Sequence, residues 1–382
     1  MALLRRVHAK ICRSFLSEVS KGVFCGVSQP TGLQGCIGAK RYLLSEDVIK
    51  LEDFQQNKLD IARKAAGSER DYIERFKQKL QSNKLILRNE LKLFLHLCET
   101  SEHMQIAREA IYRYYMENRN MLYGDFRFGP IFMRLCYELG LEGLAAATIT
   151  DENMKGFFID VTSFNIAIDM LFIQGSYENA MDVLRSMKHR GIPFNKDTVL
   201  LAIGTFYKLN TADSYKNCID LVEEHQTKGH IISRHACYFA VALALKQNDI
   251  EKAKSLYSHI LNADHKMSQN FKVIILTMSG EVSEAVSFLS TAMKPESPFV
   301  RKPEFSQEVV DLLRLQTKDG PLQMEVEQII TQLEQAGQVT EQTLDDMLCH
   351  APRGKMKPVL MEAKRSTSRR TLKPLQSSLF SE

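Results

Sequence analysis

The sequence predicts an all-α protein: an α-solenoid of about six degenerate helix-turn-helix repeats, closed by a helical C-terminal cap and followed by a basic tail. Three observations predict it. Apolar residues recur at i, i+3, i+4 and i+7 in paired runs, the pattern of amphipathic helices. Gly or Asn, residues that stop helices, fall between the runs. These landmarks return in register, with shifts of 35, 35 and 38 residues along the middle of the chain.

The chain of 382 residues is 44% hydrophobic and 25% charged, enough for one extended array with a continuous core. Its net charge of +4 permits a polyanionic partner without demanding one. The eight cysteines form no C-x-x-C pair, and the sequence has no N-x-[ST] sequon, so reduced and mostly buried thiols are expected. No stretch approaches the ~20 apolar residues of a membrane-spanning helix.

Residues 1–37 are expected to be a mitochondrial transit peptide. Over 1–41, Arg5, Arg6, Lys10, Arg13, Lys21, Lys40 and Arg41 face a single acid, Glu18. On a helix, Leu3, Leu4, Val7 and Ile11 share a face, giving the Arg-rich, acid-poor amphipathic pattern of such segments. These charges also interrupt the apolar core that a secretory signal needs. Gly32, Gly35 and Gly38 do not make a phosphate-binding G-x-x-x-x-G-K loop. A helical segment is expected over 38–88.

The repeats are expected over 89–300, and residues 162–195 are their clearest unit. A first helix runs through Phe164, Ile168 and Leu171, Gly175 breaks it, and a second runs through Ala180, Val183, Leu184 and Met187. Gly191 and Pro193 end that second helix. The inter-helix turn recurs at Gly140, Gly175, Asn210 and Asn248. A small residue for close helix packing recurs at Ala145, Ala180, Cys218 and Ala253, and unit-ending glycines at Gly156, Gly191 and Gly229. Weaker copies include Ala107 upstream, and Gly280 with Ala285 downstream. A lone hairpin of this size cannot bury its apolar side, so neighbours must stack and leave a concave groove.

Tetratricopeptide repeats have a similar length but favour a Trp-containing core, and this chain has no Trp. Residues 162–195 instead resemble a pentatricopeptide repeat, through Thr162-Ser163-Phe164-Asn165, Gly175, Ala180, Met187, Gly191-Ile192, Pro193 and Asn195. The flanking units keep only this skeleton. The resemblance implies a mitochondrial matrix protein that binds single-stranded RNA, takes part in transcript maturation or stability and supports respiratory-chain gene expression. RNA-processing or ribosomal proteins would be its partners.

In that family two or three side chains per repeat read one base. Carried over, the reading pair is Asn165 and Asn195, short amides with a donor and an acceptor suited to a base edge. The resemblance implies a pyrimidine preference for such a pair. The preceding unit offers Pro130 and Asp160 at these positions, and the following units Leu200, Tyr238 and Asn270. Pro and Leu cannot read an edge by hydrogen bonding, whereas Tyr can stack. Weak base selectivity is therefore expected, with reliance on shape, stacking and phosphate contacts. The competing account of Asn165 is capping at a helix start.

Residues 301–350 read as a helical cap, with apolar periods at Val309, Leu312, Leu313 and then Val326, Ile329, Ile330, Leu333. The tail, 351–382, concentrates positive charge, including Lys364, Arg365, Arg369 and Arg370, and is expected to neutralise RNA phosphates. Neither H-E-x-x-H nor G-x-S-x-G occurs, and the spacing of His225, His230, His235 and Cys237 fits no zinc signature. No cofactor, metal or enzymatic activity is therefore expected. The alternative is a protein-binding helical scaffold, which the degenerate reading positions favour.

Overall fold

Amphipathic helices joined by short turns must cover one another, and here they do so in strict sequence order. The structure, a computed structural model, describes residues 43–65, 67, 69–117, 127–260, 265–293, 303–318 and 320–349. Helices α1 (Glu46–Ile49), α2 (Leu51–Ala65) and α3 (Glu69–Gln81) precede the array. Six hairpins follow: α4 (Arg88–Leu97) with α5 (Ser101–Glu117), α6 (Gly129–Leu139) with α7 (Glu142–Thr150), α8 (Val161–Ile173) with α9 (Tyr177–His189), α10 (Lys196–Leu209) with α11 (Ala212–Thr227), α12 (Arg234–Lys246) with α13 (Ile250–Ser258), and α14 (Lys266–Ser279) with α15 (Val282–Met293). A further hairpin, α16 (Gln307–Thr317) with α17 (Gln323–Gln335), is flanked by strands β1 (Phe305–Ser306) and β2 (Val339–Thr340), and α18 (Leu344–Leu348) ends the described chain.

Each first helix packs on its own second helix and on the first helices of both neighbouring hairpins, so α4, α6, α8, α10, α12, α14 and α16 form one continuous wall. The chain is thus an all-α solenoid. The recurring small residues sit where the register puts them: Ala107, Ala145, Ala180, Cys218, Ala253 and Ala285 are all 0% exposed. The turns between helices adopt the left-handed conformation at Gly140, Gly175, Asn210, Asn248 and Gly280. That conformation ends a helix and satisfies its last carbonyls, at small cost for Gly and moderate cost for Asn.

Two details differ from the sequence-based expectation. Gly156 does not end a helix in the left-handed conformation. It follows the 3-10 turn Glu152–Met154, and a Cβ there would collide with the Tyr115 hydroxyl, so close approach is what calls for glycine. The cap also contains a parallel strand pair, Phe305 with Val339 and Ser306 with Thr340, too short for any periodicity to announce.

Candidate nucleic-acid interface on the wall of first helices

The second helices bury a single stripe, as in α9, where Ala180, Met181, Val183, Leu184 and Met187 point inward. The first helices α8, α10 and α12 are covered almost all round. In α8 every residue from Ser163 to Phe172 is buried, and in α10 every residue from Thr198 to Tyr207. A helix buried on all sides needs a third layer. That layer comes from the two ends of the described chain: the Leu43–Leu44 segment lies over α8 and α10, α2 packs on α4 and α6, and α18 packs on α12 and α14.

The predicted reading pair is brought together. Asn195 caps α10, its Oδ1 accepting from Thr198 N at 2.8 Å. Asn165 Nδ2 donates to the same Oδ1 at 3.2 Å, and Asn165 Oδ1 accepts from the Thr198 hydroxyl at 2.7 Å. Asn165 is 3% exposed, so its amide edge is spent inside the wall, while Asn195 is exposed. Asn165 is not the cap of its own helix. Asp160 holds that role, its Oδ2 accepting from the backbone N–H and the hydroxyl of Ser163 at 2.8 Å each. Further along, the buried Tyr238 hydroxyl meets Ser268 Oγ at 2.9 Å. Asn270, 0% exposed, donates to the carbonyls of Lys266 and Glu304 and accepts from Ser306 N. These positions stitch each repeat to the next. Lys364, Arg365, Arg369 and Arg370 lie outside the described residues.

Sequence reasoning passed over the polar side chains that face the third layer. Asp169 is 0% exposed, and its Oδ1 accepts the backbone N–H groups of Leu43 (3.3 Å) and Leu44 (3.2 Å), while Tyr137 Oη donates to Oδ2 at 3.2 Å. Burial lifts this carboxyl to about 7 against the pull of those hydrogen bonds. Leu43 also lies over Gly204, where a Cβ would come within 2.8 Å of its Cδ1. Lys58 of α2 pairs with Glu138 at 2.8 Å. Lys208 Nζ lies 2.6 Å from both carboxylate oxygens of Asp345 in α18, and its side chain is 9% exposed. Lys246 Nζ stands 3.7 Å from the centre of the Tyr207 ring, and burial brings its pKa down to about 8.

One signal for the lysines was available. Lys208 and Lys246 are 38 residues apart, the same step that separates the turn residues Asn210 and Asn248. They therefore occupy one register position in successive repeats, and Glu138 occupies it two repeats earlier. The wall is thus mixed in charge, acidic at Glu138 and basic at Lys208 and Lys246. Rings of His225 and His230 lie 5.5 Å apart, but His235 turns to the carbonyl of Leu348 at 2.5 Å. Among the described residues no group of three or more His, Cys, Asp or Glu could hold a metal ion, and no helix is long and apolar enough to cross a membrane.

No protein-family model matches the chain. It is 50% identical over 374 residues to pentatricopeptide repeat-containing protein 2, mitochondrial, of Danio rerio, covering 97% of both chains. The protein of the same name from Homo sapiens is 45% identical over 348 residues, 91% of this chain and 90% of the relative. That of Xenopus laevis is 41% identical over 347 residues, 90% and 91% respectively.

Proposed function

The chain belongs to the family of mitochondrial pentatricopeptide repeat-containing protein 2, and on that premise we propose that it is a non-catalytic protein of the mitochondrial matrix that binds single-stranded RNA. The observation that carries this reading is the continuous wall of first helices, with one cation-bearing register position repeated at Lys208 and Lys246. Repeat modules of this kind read RNA with side chains on successive helices. The internal hydrogen bonds of Asn165, Asp160, Tyr238 and Asn270 favour recognition through shape and phosphates, with Asn195 the exposed amide left to meet a base. The basic tail, with Lys364, Arg365, Arg369 and Arg370, adds phosphate contacts.

In this role the protein holds a transcript for maturation or protects it, and so supports respiratory-chain gene expression. Cleavage would fall to a partner, an RNA-processing or ribosomal protein. Filter binding of the full chain to mitochondrial single strands should show an affinity that falls steeply with salt. Replacing Arg369 and Arg370 with Ala should lower the salt slope by about two. Absence of binding at low salt by folded protein would exclude the reading. A second reading, a scaffold for a protein partner, is favoured by the internal engagement of the reading positions. Co-purification of one defined protein that survives ribonuclease would select it.

A further inference from the structure

The wall of first helices is covered at its basic end by α18, and the cover is a poor fit for a permanent structural piece. The helix spans five residues, too few to be stable alone. Beneath it lies an apolar cavity of about 80 Å3, lined by Phe271, Ile274, Leu312, Leu344 and Leu348, so packing under the helix is incomplete. The helix buries Met347 and Leu348, and polar contacts add to its hold. Asp345 meets Lys208 through both oxygens, Leu344 N donates to Glu308 Oε2 at 3.0 Å, and the Leu348 carbonyl meets His235 Nε2 at 2.5 Å.

What α18 covers has the chemistry of a strand-binding site. Lys208 and Lys246 stand at equivalent positions of neighbouring repeats, Tyr207 lies beneath Lys246, and the His235 ring stacks on Phe239. Two ammonium groups at equivalent positions of neighbouring repeats suit successive phosphates. The other charged groups facing them are carboxylates: Asp345 on α18 and Glu308 on α16. With α18 docked two acids balance the two lysines; with α18 gone, two lysines face one acid.

We propose that Lys208 and Lys246 form a phosphate-binding site for single-stranded RNA, and that α18 occupies it in the unbound protein, the Asp345 carboxylate standing where a phosphate would. This rests on the RNA-binding reading above and adds its regulation: the strand and α18 compete for one surface. An occluded site lowers apparent affinity by the fraction of molecules that are open.

The full-length protein, titrated with fluorescein-labelled oligouridine, tests this. Asp345→Arg expels α18 by charge repulsion and should tighten binding about tenfold. Adding Lys208→Gln and Lys246→Gln should reverse that gain and lower the salt slope by about two. A second readout uses the wild-type chain and needs no altered fold. Cys349, next to α18, is 1% exposed, and Cys98, far from it in the array, is 0% exposed. Saturating oligouridine should speed maleimide labelling of Cys349 about tenfold and leave Cys98 protected. If oligouridine binds the wild type yet Cys349 stays protected and Asp345→Arg changes nothing, α18 is structural and the competition is refuted, while RNA binding stands. If oligouridine binds neither the wild type nor Asp345→Arg, both readings fall.

Discussion

Asp169 is the one acid of α8, and it is fully buried. A buried carboxylate is costly unless its hydrogen bonds are met. Two N–H groups of the Leu43–Leu44 segment and the Tyr137 hydroxyl meet them here. Burial still raises the carboxyl to about 7, so the folded chain keeps a proton that the unfolded chain, titrating near 4, gives up. The stability tied to this group is complete below the unfolded pKa and is lost as pH climbs through about 7. Urea midpoints should therefore fall between pH 5 and pH 8, and Asp169→Asn should flatten that fall. Gly204 is the neighbouring constraint. Gly204→Ala pushes against Leu43 and should cost about 1–3 kcal/mol, read as a lower urea midpoint.

At the scale of the element, the hairpin depends on a tight turn and a close crossing. Asn248 ends α12 with φ 60°, where a Cβ is strained and Gly is not. Asn248→Ala should destabilise the chain by about 1 kcal/mol, and Asn248→Gly should hold the wild-type melting temperature. Ala180 fills the α8–α9 crossing at 0% exposure. Ala180→Leu must separate the two helices and should cost about 1–3 kcal/mol in a denaturant titration. These landmarks were legible because turn chemistry and small-residue packing act over a few residues. Gly156 shows the boundary of that legibility. It occupies a predicted landmark position, but its need for glycine comes from Tyr115, on a helix of the preceding repeat.

At the scale of the molecule, each hairpin touches mainly its neighbours, so stability is carried along the array. The first helices α8, α10 and α12 are covered on nearly all sides and the second helices α9, α11 and α13 on one stripe. Hydrogen exchange should therefore be slowest in α8, α10 and α12 and faster in α9, α11 and α13; uniform protection across both sets would contradict this layering. The closing of the wall by α2 and α18 is a global feature. It brings Lys58 to Glu138 and Asp345 to Lys208 across 80 and 137 residues of sequence.

Local chemistry therefore set the helices, their turns, the repeat length and the family skeleton at residues 162–195, since each depends on residues only a few positions apart. The pair Asn165 and Asn195 was likewise readable as the two reading positions of one repeat. Whether their amides face a strand or each other was not, because Thr198 completes the bond network only once one repeat lies on the next. The same holds for the partners of Asp169 and Lys208. They arrive from the two ends of the described chain, and such long-range docking leaves no periodic mark in a sequence.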